Sequence, residues 1–299
     1  MRIVSLIPSA TEIVAALGLQ DALVGITHSC DYPQGLSAAR VTSTSIPPDA
    51  SSRQIDRIVK ESLGSGRPLY DLDIDSIERL QPDLVLTQAV CDVCAVGEGQ
   101  ALASLEGLLI EPEVLSLHPH RFDDVLEDIL RVGRATRVPG RAEALVRRLR
   151  ERVARVRARV AGSEAPRVAV LEWVDPLFSA GHWTPEIVAM AGAREVLASP
   201  GERSRELTWD DVRRADPDVI LLACCGQDVL RSLDDLRILE SRPGFRDVGA
   251  VRSGRIFVAD GGAHFSRPGP RLVESLELLA ETLHPSHAPA GKRLRSAYG

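Results

Sequence analysis

No apolar run in the 299 residues is long enough to span a bilayer, so a membrane-spanning helix is excluded. Excess positive charge is missing too. The net charge is −6, which argues against a general nucleic-acid binder, since such a protein needs a basic surface to release counterions from phosphate. Lysine is almost absent, with only Lys60 and Lys292 among 36 basic residues; that skew looks like genome base composition and carries no functional weight. Cysteine is sparse, odd in number at five, and scattered, which is not a secreted disulfide framework. The start, Met1-Arg2 running into "IVSLIPSATE", lacks the apolar stretch of roughly 7–15 residues that a secretory signal requires. Taken as given, it reads as cytoplasmic with reduced thiols, or as extracytoplasmic if a signal has been removed. Also missing are a G-x-S-x-G elbow, a phosphate-binding Walker loop, an H-E-x-x-H pair and a dinucleotide fingerprint, so no catalytic motif is found.

What is present is ordinary globular material: 44% apolar and 26% charged residues, long enough for about two domains. The chain repeats itself loosely. "RIVSLIPSATEIVAALG" (2–18) is echoed by "RVAVLEWVDPLFSAGHWTPEIVAMAG" (167–192), and "IERLQPDLVLTQAVC" (77–91) by "VRRADPDVILLACC" (212–225). In the second pair a helix ends before a Pro-Asp step and a wholly apolar strand follows, the pattern of a strand buried on both faces. Strands are expected near 2–7, 23–27, 84–88 and 113–117, then near 167–172, 218–223 and 255–259. This alternation implies an α/β fold of two lobes with mainly parallel sheets flanked by helices. Ser9-x-x-Glu12 and Thr208-x-x-Asp211 each read as a helix start with an acid three residues on. Between the lobes, Leu145, Leu149, Val153, Val156 and Val160 recur at three- and four-residue spacing with arginines opposite, predicting one long rigid connecting helix over 140–162. The expected divisions are a lobe at 1–139, the helix, a lobe at 163–284 and a flexible tail at 285–299.

Ligands of open parallel sheets bind outside the carboxyl ends of the strands. The residues that follow the proposed strands form a distinctive set. His28, Cys30 and Tyr32 follow the second strand, Cys91 and Cys94 the third, His118 and His120 the fourth. In the second half come Trp173, then His182 and Trp183 in "SAGHWT", then Cys224 and Cys225, then His264 and Arg267. All five cysteines and five of the seven histidines fall at strand exits. The pair Cys91–Cys94 admits three readings: a redox pair, a soft-metal clamp, or small buried residues. His118-Pro119-His120 permits chelation on an extended segment, although exposed loop histidines are the simpler reading. Glu172 beside Trp173 is placed to hold a ligand amide or to pair with an arginine.

The stretches "RIVSLIPSATEIVAALG", "VGITHSCDYP", "LQPDLVLTQ", "SAGHWTPEIVAMAGA" and "HFSRPGPRLVESLELLAE" together resemble the helical-backbone (class III) solute-binding proteins of ABC importers. The nearest branch is the one that binds cobalamin; relatives handle haem and iron–siderophores. The resemblance spans residues 2–284. It implies a ligand-binding protein, not an enzyme, that holds a corrinoid (cobalamin-like) or other metal-containing cofactor between two lobes and delivers it to an ABC permease. On this reading Tyr32, Trp173, His182, Trp183, His264 and Arg267 contact the ligand. His28, Cys30, Cys91, Cys94, Cys224 and Cys225 are expected around a metal centre, zinc or iron among the possibilities. The alternative is a cytoplasmic Cys/His metal or metallocofactor protein on the same fold, with enzymatic activity left open.

Overall fold

The computed structural model describes residues 1–88, 96–106, 111–287 and 293–298. Cys91 and Cys94 lie outside the described residues. The chain divides into two compact units, one of residues 1–119 and 123–147, the other of residues 120–122 and 148–299.

The first unit is built on strands β1 (Ile3–Ser5), β2 (Leu23–Ile26), β3 (Ala39–Arg40), β4 (Thr42–Thr44), β5 (Tyr70–Leu72), β6 (Leu84–Gln88) and β7 (Glu113–Leu117). Helices α1 (Pro8–Ala16), α2 (Ser52–Ser65), α3 (Ile74–Leu80), α4 (Glu98–Leu105) and α5 (Phe122–Ala135) connect them. The main sheet has the order β3-β2-β1-β6-β7, with every pairing parallel. All five residues of β6 are buried, as a central strand covered on both faces requires. The β4–β5 pair is antiparallel and separate; its strands are only three residues each, too short to show a detectable alternation. The proposed cap at Ser9 is not formed. Helix α1 begins at Pro8 with Ile7 at the N-cap and no side-chain cap, because proline presets the first helical turn. Ser9 and Glu12 are buried inside it.

The second unit contains β8 (Arg167–Trp173), β9 (Leu177–Ser179), β10 (Arg194–Glu195), β11 (Glu206–Leu207), β12 (Val219–Leu222), β13 (Ile256–Val258) and β14 (Arg295–Ser296). Its described α-helices follow α6 (Pro139–Val160): α7 (Thr184–Met190), α8 (Trp209–Ala215), α9 (Val229–Glu240), α10 (Gly249–Arg252) and α11 (Leu272–Leu283). The order is β11-β9-β8-β12-β13-β14, with β10 also on β8. The central pairs are parallel, while β9, β11 and β14 join antiparallel at the edges. The connection from Val174 to Pro176 is too short for a crossover, so β9 must fold back on β8. The last segment corrects the expected tail: Ser296 pairs with Phe257, adding a strand at the sheet edge. The capping box at Thr208 forms as read, with Asp211 N–H donating to the Thr208 hydroxyl at 3.2 Å.

The internal echo is realised as a shared latch. In the first unit the Arg2 N–H donates to Asp83 at 2.7 Å, and the Arg2 guanidinium donates to the Leu80 carbonyl at 2.6 Å. In the second, the Arg167 N–H donates to Asp218 at 2.8 Å and its guanidinium to the Ala215 carbonyl at 2.6 Å. Each Pro-Asp step thus ends a helix, whose orphan carbonyl takes the arginine, and ties the first strand to its neighbour. Helix α6 buries Leu145, Leu149, Val153, Val156 and Val160, the stripe read from the sequence. At the edge of that stripe Arg152 forms a bidentate pair with Glu277 of α11 at 2.8 and 2.7 Å.

Candidate functional site

At the carboxyl edge of the first sheet, the β2 exit is a network of hydroxyls. Thr42 donates to Thr27 at 2.9 Å, and the His28 Nδ1 lies 2.7 Å from the Thr42 oxygen. The His28 ring packs against Tyr70 with centroids 5.7 Å apart. Burial, then the Arg40 charge, lowers its pKa, so the imidazole is neutral at neutral pH. Two residues on, Cys30 is buried with its sulfur 3.0 Å from the Thr11 hydroxyl. Thr11 in turn donates to Ser5 at 2.9 Å. His28 and Cys30 share a loop but bond different partners. Tyr32, by contrast, is exposed.

In the second unit the strand exits are stitched together through backbone. Cys225 N–H donates to the Glu172 carbonyl at 3.1 Å, Gln227 N–H to the Cys224 carbonyl at 3.0 Å, and Gly262 N–H to the Gln227 carbonyl at 3.2 Å. Gly261 is obligatory here, since a Cβ would lie 1.9 Å from the Cys224 oxygen. The loops after β8, β12 and β13 are therefore joined through backbone, and Trp173, Cys225, His264 and Arg267, which end or follow these strands, are half-buried. The His264 N–H donates to the Asp260 carbonyl at 2.8 Å, which fixes the start of its loop.

Cys224 is not among them. Its side chain is fully buried in the apolar core with Leu222, Leu236 and Ile256. Burial, reinforced by nearby Asp235 and partly offset by the Ser232 hydroxyl, pushes its thiol up to about 12. The side chain thus faces the apolar core and not the strand-exit surface on which the sequence placed it. Among the described residues no three His, Cys, Asp or Glu side chains gather in a metal-holding group. Cys30, Cys224 and Cys225 form no disulfide among the described residues.

Trp183 also departs from the sequence reading. Its indole is 6% exposed and donates to the Phe265 carbonyl at 2.6 Å, so it works as a strut between two loops rather than as an open stacking face. Its neighbour His182 is half-buried. The imidazole packs on Trp183 at 5.5 Å and stacks with His120 at 5.9 Å. Burial first, then the charges of His120 and Arg203, lower its pKa. The His120 contact was not legible from sequence, which read that loop as exposed. What makes it is Glu186 on α7: its carboxylate accepts from the Arg121 guanidinium at 2.9 Å and from the Phe122 N–H at 2.7 Å. The only local signal was an acid in the first turn of a helix starting Thr-Pro-Glu.

This architecture defines a class. The pattern of the periplasmic binding protein family matches residues 3–262, and the chain belongs to that family. It is a substrate-binding protein of the ABC-importer type on the class III fold. It is similar to an uncharacterized ABC transporter substrate-binding lipoprotein of Bacillus subtilis (strain 168), 25% identical over 291 residues, which is 95% of this chain and 80% of that protein. The vitamin B12-binding protein of Yersinia pestis (strain Pestoides F) is 24% identical over 224 residues, 74% of this chain and 69% of its own. Among solved structures, a periplasmic heme binding protein from Pseudomonas aeruginosa matches with a TM-score of 0.72 at 24% identity, covering 97% of this chain and 95% of that one. These relatives are substrate-binding proteins rather than enzymes, and those whose names give a location are lipoproteins or periplasmic.

Proposed function

We propose that this protein captures a corrinoid of the cobalamin type outside the cytoplasm and presents it to an ABC permease, without catalysing a reaction. The observation that carries the reading is the carboxyl edge of the sheet in the second unit. A half-exposed tryptophan at the end of β8, Trp173, shares that carboxyl edge with Arg267 and His264. An indole face suits the flat apolar side of a macrocycle, while a guanidinium and an imidazole suit its amide or carboxylate fringe. The curated vitamin B12-binding relative supports the corrinoid over other ligands. Tyr32, on the corresponding edge of the first unit, is proposed as a further contact.

One observation favours a second reading, a haem-type ligand: imidazoles outnumber exposed aromatic rings at these loops, and a haem-binding structure is among the similar folds. Thermal denaturation with cyanocobalamin, haemin or neither decides between them. A ligand that binds only the native state raises the midpoint by mass action. The corrinoid reading expects a rise with cyanocobalamin that Trp173→Ala largely removes. A rise with haemin alone selects the second reading, and no rise with either ligand overturns both.

A further inference from the structure

We infer that His120 and His182 form an open two-imidazole site for a divalent transition-metal ion, independent of the organic ligand. Two rings sharing one ion at metal–nitrogen distances of about 2.0–2.1 Å keep their centroids within about 6.4 Å of each other. The two rings are 5.9 Å apart with planes 26° from parallel, inside that limit. His182 Nε2 is buried and has no hydrogen-bond partner. A buried polar nitrogen left unpaired costs free energy that a metal bond would recover.

The surroundings hold both rings in place. His182 takes a left-handed backbone conformation, φ 55°, where glycine would be far less strained. Its N–H donates to the Glu202 carbonyl at 2.6 Å, and its own carbonyl accepts from Gly201 at 2.9 Å. The preceding Gly181 admits no side chain, since a Cβ would lie 2.4 Å from the Ser204 nitrogen. The strained position therefore carries an imidazole although its neighbour is a glycine by necessity. Trp183 braces one side of the ring, itself pinned by the Phe265 carbonyl. On the other side the Glu186 clamp on Arg121 and Phe122 secures the segment that carries His120.

Two protein donors leave the remaining coordination positions to water, consistent with the lack of any third His, Cys, Asp or Glu in the group among the described residues. Imidazole suits zinc, nickel and copper, and carries no thiolate bias toward softer centres.

The test uses the full, untagged chain and bare Zn²⁺ and Ni²⁺, followed by equilibrium dialysis with elemental analysis and by calorimetric titration. One ion per chain is expected, with at least a tenfold loss of affinity in both His120→Ala and His182→Asn. Asparagine tolerates the left-handed backbone, and His120 is exposed, so both variants are expected to fold; circular dichroism checks this. If His182→Asn does not fold, His120→Ala decides alone. No retained ion in the wild type overturns the inference, as does binding unchanged in His120→Ala, or binding that survives both variants and vanishes on thiol alkylation. None of these outcomes involves cobalamin or haem, so failure here is distinguishable from failure of the ligand reading.

Discussion

At the scale of single residues, burial decides which chemistry-bearing side chains are available. Cys224 and Cys225 are adjacent in sequence, yet one fills the core and the other is half-buried. The alternation of a strand continuing past its last ladder pair separates them. With its thiol pushed up to about 12, Cys224 should resist alkylation in the native protein and react only on unfolding, which mass spectrometry after brief iodoacetamide treatment would show. Asp128 is the other conspicuous buried group. It is 4% exposed, it pairs with Arg131 at 2.8 Å, and its second oxygen has no hydrogen-bond partner among the described residues. Burial raises its pKa to about 6, opposed by the hydrogen bond and charge of Arg131 and by His118, and aided by Asp124. The folded state therefore binds this proton more tightly than the unfolded state does. Stability from this group is full below about pH 4 and is lost as pH rises toward about 6, by about 2–3 kcal/mol. Urea denaturation of Asp128→Asn at pH 4 and pH 7 should show a flatter pH dependence than the wild type. An unchanged slope would refute the assignment. No sequence pattern announced Asp128: three residues from an arginine on an amphipathic helix, it reads as solvent-facing.

At the scale of elements, the sequence was legible wherever local chemistry and tertiary setting agree. The strands at 84–88 and 113–117 fall where the apolar runs placed them. The Thr208 box works because its hydroxyl and acid meet their own first turn with no outside help. Ser9-x-x-Glu12 matches the same template and fails, since Pro8 starts the helix earlier and burial takes both side chains. The short strands β4, β5, β10 and β11 escaped notice because two or three residues carry no period to detect. The Arg-to-Asp latches are the elements' most specific join. Removing either partner in the second unit, by Arg167→Ala or Asp218→Ala, should cost about 1 kcal/mol per lost hydrogen bond. The double variant should cost less than the sum of the singles, as residues in one network do. Strict additivity in the denaturation midpoints would show that the two residues act separately.

At the scale of the whole molecule, binding and stability are one quantity. A native-state ligand at 100 times its dissociation constant adds about 2.7 kcal/mol to apparent stability, enough to move a melting midpoint by several degrees. Cyanocobalamin in such excess should do this for the wild type and not for Trp173→Ala, and a shift that survives the substitution would move the macrocycle away from the β8 exit. By itself the sequence determined the α/β class, the parallel strands at the centre of each sheet, the apolar stripe of α6 and the family. The first three rest on periodicity and on Pro-Asp punctuation, which are local and survive in any surroundings; the family rests on the resemblance of whole stretches of the chain. Only the tertiary structure decided that Cys224 and the Trp183 indole face inward, that His120 meets His182 across some sixty residues of chain, and that the last segment closes a sheet edge. Those outcomes depend on which distant groups exclude water and satisfy hydrogen bonds, and no spacing along the chain encodes that.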